Sequence, residues 1–225
     1  MIPISRRGFL IAVGSAPALQ QRRQTTTNRP SSAADLPNLQ ISEASLLLKS
    51  KRLSPLELTT AVLRRIDEVE PKLHAFVTLV REEAMRDAAA SEKEIMRGAY
   101  RGPLHGIPFG VKDTHYTKGI RTTAGSPVLA DFIPTFDATV VAKLKAAGAI
   151  LIGKTTLPEF SFGGATPGTN NPWDVSRTPG GSSGGPPRRW PLVRYSVRLG
   201  ATLRVQSEPP PRFAASSDSS QPTDA

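Results

Sequence analysis

The stretch "DATVVAKLKAAGAILIGKT", Asp137 to Thr155, carries two apolar periods in one short run. Over its first part Val140, Val141, Leu144 and Ala147 recur at helical spacing, which predicts an amphipathic helix over 137–149. From Ala149 to Thr155 the apolar residues are consecutive, which predicts a short strand buried on both faces. A helix feeding into a buried strand is the unit of a layered α/β fold. Gly148 stands at the junction, where a helix C-terminus favours glycine. Gly148 to Thr155 also match G-x-x-x-x-G-K-[ST], the phosphate-loop pattern. That pattern needs a loop whose backbone N–H groups wrap phosphate, and here the intervening Ala-Ile-Leu-Ile are the strand itself. Nucleotide binding through Lys154 is therefore the weaker reading, and ATP binding lost in Lys154→Ala is the result that would support it.

The same alternation continues toward the N-terminus. "SPLELTTAVLRRIDEVEP" predicts a helix with Ser54 as N-cap, Pro55 at its first position, Glu57 completing a capping box and Pro71 as its end. Leu58, Ala61, Val62, Arg65, Ile66 and Val69 follow its period. Ser42 is expected to cap a shorter helix before it, carrying Ala44 and Leu46 to Leu48. "HAFVTLV" reads as a strand, "REEAMRDAAASEKEIMRG" as a second long helix, and "GIPFGVKDT" as a short buried strand running into a turn. Strands alternating with helices give an α/β class.

Composition narrows the function. The 225 residues contain no cysteine, so disulfides and thiolate metal sites are out. His74, His105 and His115 form no metal-ligand spacing. No run of 18 consecutive apolar residues points to a membrane helix. The net charge of +10 suggests nucleic acid at first, but it sits at the ends. Residues 1–30 hold five arginines and no acid, and residues 186–225 hold six arginines against Glu208, Asp218 and Asp224. A nucleic-acid footprint needs charge clustered on a structured face, so no nucleic-acid partner is expected.

The ends read differently from the middle. Arg6-Arg7, the apolar run to Val13 and Ala16-Pro17-Ala18 resemble a twin-arginine export signal with an A-x-A cleavage site. The blander reading is a disordered basic leader. Residues 20–38 read as an unstructured linker, so 1–38 is expected to be signal and linker and 39–185 the folded part. From Pro186 to Ala225 proline and arginine recur without period, and "AASSDSSQPTDA" is low complexity, which predicts a disordered tail.

Two features could carry chemistry. Lys112 is the single lysine near the end of an apolar strand, where desolvation lowers an amine toward neutrality and makes it a usable general base. Alternatively it snorkels to the surface or pairs with Asp113. Gly180 to Gly185, "GGSSGG", is either a flexible linker or a tight loop presenting a hydroxyl.

In combination and in order, "GIPFGVKD", "TTAGSP", "GKTTLPEF" and "NNPWDVSRTPGGSSGG" resemble the amidase signature family over about Ser42 to Gly185. The resemblance implies a mixed sheet covered by helices and hydrolysis or transfer of amide groups by a Ser–Ser–Lys triad, on substrates from small-molecule amides to the glutamine of a transamidation complex. It implies Lys112 as general base and Ser182 as the bridging serine, which in the family sits in a cis peptide. It implies no metal and no organic cofactor. In the family the nucleophilic serine follows about two dozen residues later in a motif like GSDTGGSIR. Here that interval reads "WPLVRYSVRLGATLRVQS", and the nucleophile motif is absent. Pro186 to Trp190 can be encoded CCG CCG CGG CGG TGG. One added T regroups this as TCC GCC GCG GCG GTG, Ser-Ala-Ala-Ala-Val, and synonymous codons carry the same frame on to GSDTAGSVR. The expectation is a one-base frameshift near the codon for Gly185, and a chain that is catalytically incomplete as written. The alternative is a truncated pseudo-amidase acting as a binding module, or a pseudogene product. An export signal would place the protein outside the cytoplasm, with the twin-arginine machinery as a partner, and would disfavour a tRNA-dependent amidotransferase role.

Overall fold

The computed structural model describes residues 29–183 apart from Ser31. The export-signal motif, Gly184-Gly185 and the tail from Pro186 lie outside the described residues. The elements in chain order are α1 (Ile41–Lys49), α2 (Pro55–Leu73), β1 (Phe76–Leu79), α3 (Arg81–Met96), β2 (Pro108–Lys112), α4 (Thr139–Ala146) and β3 (Ile150–Thr155). The class is α/β, as the alternation predicts.

α2 starts where its cap dictates. Ser54 Oγ accepts the N–H groups of Leu56 at 3.0 Å and Glu57 at 3.3 Å, and Pro55 holds the first position. The Glu57 carboxylate pairs with Arg29. Pro71 does not end this helix. The helix runs on two residues past it to Leu73, and the chain turns out at His74, in the left-handed region at φ 49°. α1 is capped by Gln40, not Ser42. Glu43 reaches back to the Gln40 N–H at 2.6 Å, so the helix begins before the serine. Leu47 and Leu48 are buried, whereas Leu46 points to solvent. Residues 33–38, within the stretch read as linker, form a 3-10 turn that buries Leu36 against the core.

The sheet is small and mixed, with order β1-β3-β2. β3 is central. It pairs antiparallel with β1 (Phe76 opposite Thr155) and parallel with β2 (Lys112 opposite Thr155). A Cβ on Gly153 would lie 2.5 Å from the Thr78 carbonyl, so β1 can approach this closely only over a glycine. Successive residues of β3 serve opposite faces. Ile150 and Ile152 join Leu48, Leu58, Val62, Ile66, Ala84 and Ile95 from α1, α2 and α3. Leu151 joins Phe109, Val111, Val141 and Leu144 on the α4 side. Leu58, Val62 and Ile66 are wholly buried, each worth about 1.5–3 kcal/mol relative to exposure.

Candidate functional site

Lys112 is the last residue of β2 and is only 4 % exposed. Its register partner Thr155 ends β3, so the C-terminal ends of the two parallel strands lie side by side. In open α/β sheets this is the end at which ligand sites collect. Two residues earlier, Gly110 leaves room for the Thr155 methyl and the Phe76 ring, which would meet a Cβ at 3.3 and 3.5 Å.

Asp113, the residue after Lys112, has its carboxylate held by a threonine and a second lysine. Its Oδ2 accepts the Thr123 N–H at 2.8 Å and the Thr123 hydroxyl at 2.6 Å. Its Oδ1 lies 3.2 Å from Lys154 Nζ, and both side chains of that pair are fully buried. Lys154 also donates to the His115 carbonyl at 2.8 Å and to Thr122 Oγ1 at 2.6 Å. Burial holds the Lys154 amine below the ordinary lysine value, and Asp113 works against that shift. The phosphate-loop alternative fails here, because the residues that would cradle phosphate are strand β3 and Lys154 is enclosed with Asp113.

Ser182 lies on an exposed loop after β3. The chain reaches it through two threonine anchors. Thr169 Oγ1 lies 3.0 Å from the His74 carbonyl and 2.9 Å from Thr156 Oγ1, which fixes the loop to the end of α2 and the residue after β3. Thr166 Oγ1 then donates to the Gly180 carbonyl at 2.9 Å. A Cβ on Gly181 would sit 2.4 Å from the Gly163 carbonyl, so this close pass of two backbones needs glycine. The Gly181–Ser182 peptide is cis. Lys112 and Ser182 are thus tied to the same end of the sheet, one inside it and one on its loop. The interval in which a nucleophile would be sought lies outside the described residues.

The residue types alone did not reveal the enclosure of Asp113 by Lys154, Thr122 and Thr123. A lysine inside an otherwise apolar strand was the available signal. The "TTAGSP" and "LPEF" stretches are joined by Ser126 Oγ donating to Glu159 Oε1 at 2.6 Å. Among the described residues no group of three or more His, Cys, Asp or Glu could hold a metal ion, and no helix is long and apolar enough to cross a membrane.

The family model for amidases matches residues 57–186. The chain belongs to the amidase family. It is similar to the A subunit of the glutamyl-tRNA(Gln) amidotransferase from Desulfatibacillum aliphaticivorans, at 48% identity over 155 residues, covering 67% of this chain and 32% of that one. Among solved amidase structures it resembles a bacterial aryl acylamidase of the amidase signature family, at 32% identity and TM-score 0.62, over 66% of this chain and 32% of that one. It also resembles a peptide amidase in complex with chymostatin, at 35% identity and TM-score 0.61, over 65% of this chain and 32% of that one. The chain spans about a third of the length of the amidase relatives it matches.

Proposed function

We propose that this chain is the N-terminal part of an amide hydrolase in which Lys112 is the general base and Ser182 the proton relay. The observation that carries this reading is that the amidase match includes both residues, with Lys112 buried at the C-terminal end of β2. In the complete reaction, neutral Lys112 accepts a proton from the Ser182 hydroxyl as Ser182 takes one from the nucleophilic serine. The nucleophile's oxygen bonds to the amide carbonyl carbon, the carbon–nitrogen bond breaks, and the amine leaves with a proton. Water then cleaves the acyl ester and releases the acid. Backbone N–H groups beside the nucleophile stabilise the oxyanion. None of these steps calls for a metal or organic cofactor.

The chain as written contains no GSDTGGSIR-like motif, and a one-base frame change near the codon for Gly185 would account for that lack. The 225-residue product is therefore expected to show no amide turnover above background. Turnover of a simple amide that is abolished by a serine-directed reagent would overturn this. Resequencing the coding DNA across Thr178 to Arg212 tests the frame change: one extra base near Gly185 points to a sequencing artefact, and an unaltered sequence to a genuine frameshift in the gene. In that case a second reading, a non-catalytic binding module, draws support from the two apolar clusters that the described residues close on either side of the sheet. The twin-arginine motif supports export, which fractionation of cells expressing the chain with and without Arg6→Lys and Arg7→Lys would test.

A further inference from the structure

Lys154 has no part in the proton relay, yet it is wholly buried within the sheet and makes three polar contacts. The register sets Lys154 opposite Val111, whose side chain lies in the α4-side cluster, and sets Lys112 opposite Thr155 one residue on. The two lysines therefore serve opposite faces of adjacent strands. Asp113 is covalently next to Lys112, and a carboxylate with its charge uncompensated at that position would favour the ammonium form of the lysine. A protonated amine cannot accept a proton. The two Asp113 oxygens are instead met by Lys154 on one and by Thr123 on the other.

We infer that Lys154 is a positioning residue for the base: it binds and neutralises Asp113, so that this neighbouring carboxylate does not hold Lys112 in its charged form. The inference rests on the reading of Lys112 as the general base. Several other ionisable groups near these strands have partners of their own, among them Arg121, which donates to the Val77 carbonyl of β1 at 3.5 Å. Asp137 and Lys145 on the α4 side pair with each other at 3.0 Å, and their charges act on Lys154 in opposite senses. Glu70 of α2 accepts the Phe76 N–H at 2.9 Å. His115 meets Lys154 through its backbone carbonyl. Asp113 is the acid bonded directly to Lys112 through the backbone.

The test is a lysine titration on the full chain. Lysine is labelled with carbon-13 at Cε, the Lys112 resonance is assigned by its loss in Lys112→Arg, and its shift is followed from about pH 6 to about pH 11. Lys154→Met is expected to raise the Lys112 midpoint by about one pH unit or more, because Asp113 is left uncompensated beside it. Adding Asp113→Asn is expected to return the midpoint to the wild-type value. An unmoved midpoint in Lys154→Met, or no return in the double variant, overturns the inference. If Lys154→Met does not fold, the doubly neutral chain decides against wild type: an unchanged midpoint supports the inference and a shifted one overturns it. A wild-type Lys112 that titrates like free lysine, at about 10.4, removes the base reading instead and leaves the Lys154→Met comparison intact.

Discussion

His105 is fully buried between α3 and the turn after α4. Its Nδ1 accepts the Arg101 N–H at 3.0 Å, which leaves the ring proton on Nε2, 3.2 Å from Glu94 Oε2. Burial holds the ring below the ordinary histidine value of 6.5, and the Glu94 carboxylate opposes this without reversing it. Glu94 itself is held below 4.5, chiefly by its hydrogen bond from Arg101. The folded protein therefore resists protonation at His105 more than the unfolded chain does. Stability is expected to fall as pH drops below 6.5, toward the depressed folded value, with the Glu94 contribution lost only below 4.5. Melting temperatures measured from about pH 8 to about pH 5 should decline for the wild type and stay flatter for His105→Gln, and equal slopes would refute the assignment. Single residues were unevenly legible. Lys112 could be placed at a strand end because its neighbours are apolar. The partner of Asp113 could not, because Lys154 comes from a strand 41 positions later and only the parallel register brings them together.

At the scale of elements, the starts of helices were more legible than their ends. Ser54 and Pro55 fix the start of α2 by local hydrogen bonds and a preset dihedral, both of which sequence shows directly. Ser54→Ala is expected to lower stability by about 1 kcal/mol in urea unfolding with little change in slope. α4 is shorter than its period suggests. Asp137, expected in its first turn, instead accepts the Lys118 N–H at 2.8 Å, and the Ala138 N–H donates to the Tyr116 carbonyl at 2.8 Å. Those long-range bonds hold the first residues outside the helix. At its other end, Gly148 adopts φ +81°, its N–H donates to the Lys145 carbonyl, and the Ala149 N–H donates to the Leu144 carbonyl. This is the paired-bond helix stop that the glycine foreshadows.

The described residues form a sheet with an apolar cluster on each face, and their later loops carry exposed apolar groups. Phe160, Phe162, Trp173 and Val175 are 56, 91, 71 and 56 % exposed. Exposed large apolar side chains favour association between copies. Phe162→Ser with Trp173→Ser is expected to raise the soluble concentration and lower dye binding to apolar surface, while leaving the melting temperature nearly unchanged. A large drop in melting temperature would show instead that these rings are packed. The alternation of elements announced the α/β class, but the strand order was not readable, since periodicity says which faces are buried and not which strand is the neighbour.

That order has a consequence in time. Among the described residues, β1 and β2 each pair with β3 alone, and β3 is the last strand of that sheet to be made. During synthesis at about 5–20 residues per second, β1 waits roughly 4–15 s after Leu79 before Thr155 has been added. Once Ala146 has been added, the nascent chain has its described helices but not yet the central strand they cover. The lysine at the end of β2 acquires its strand neighbours only when the central strand arrives, and Ser182 follows later still.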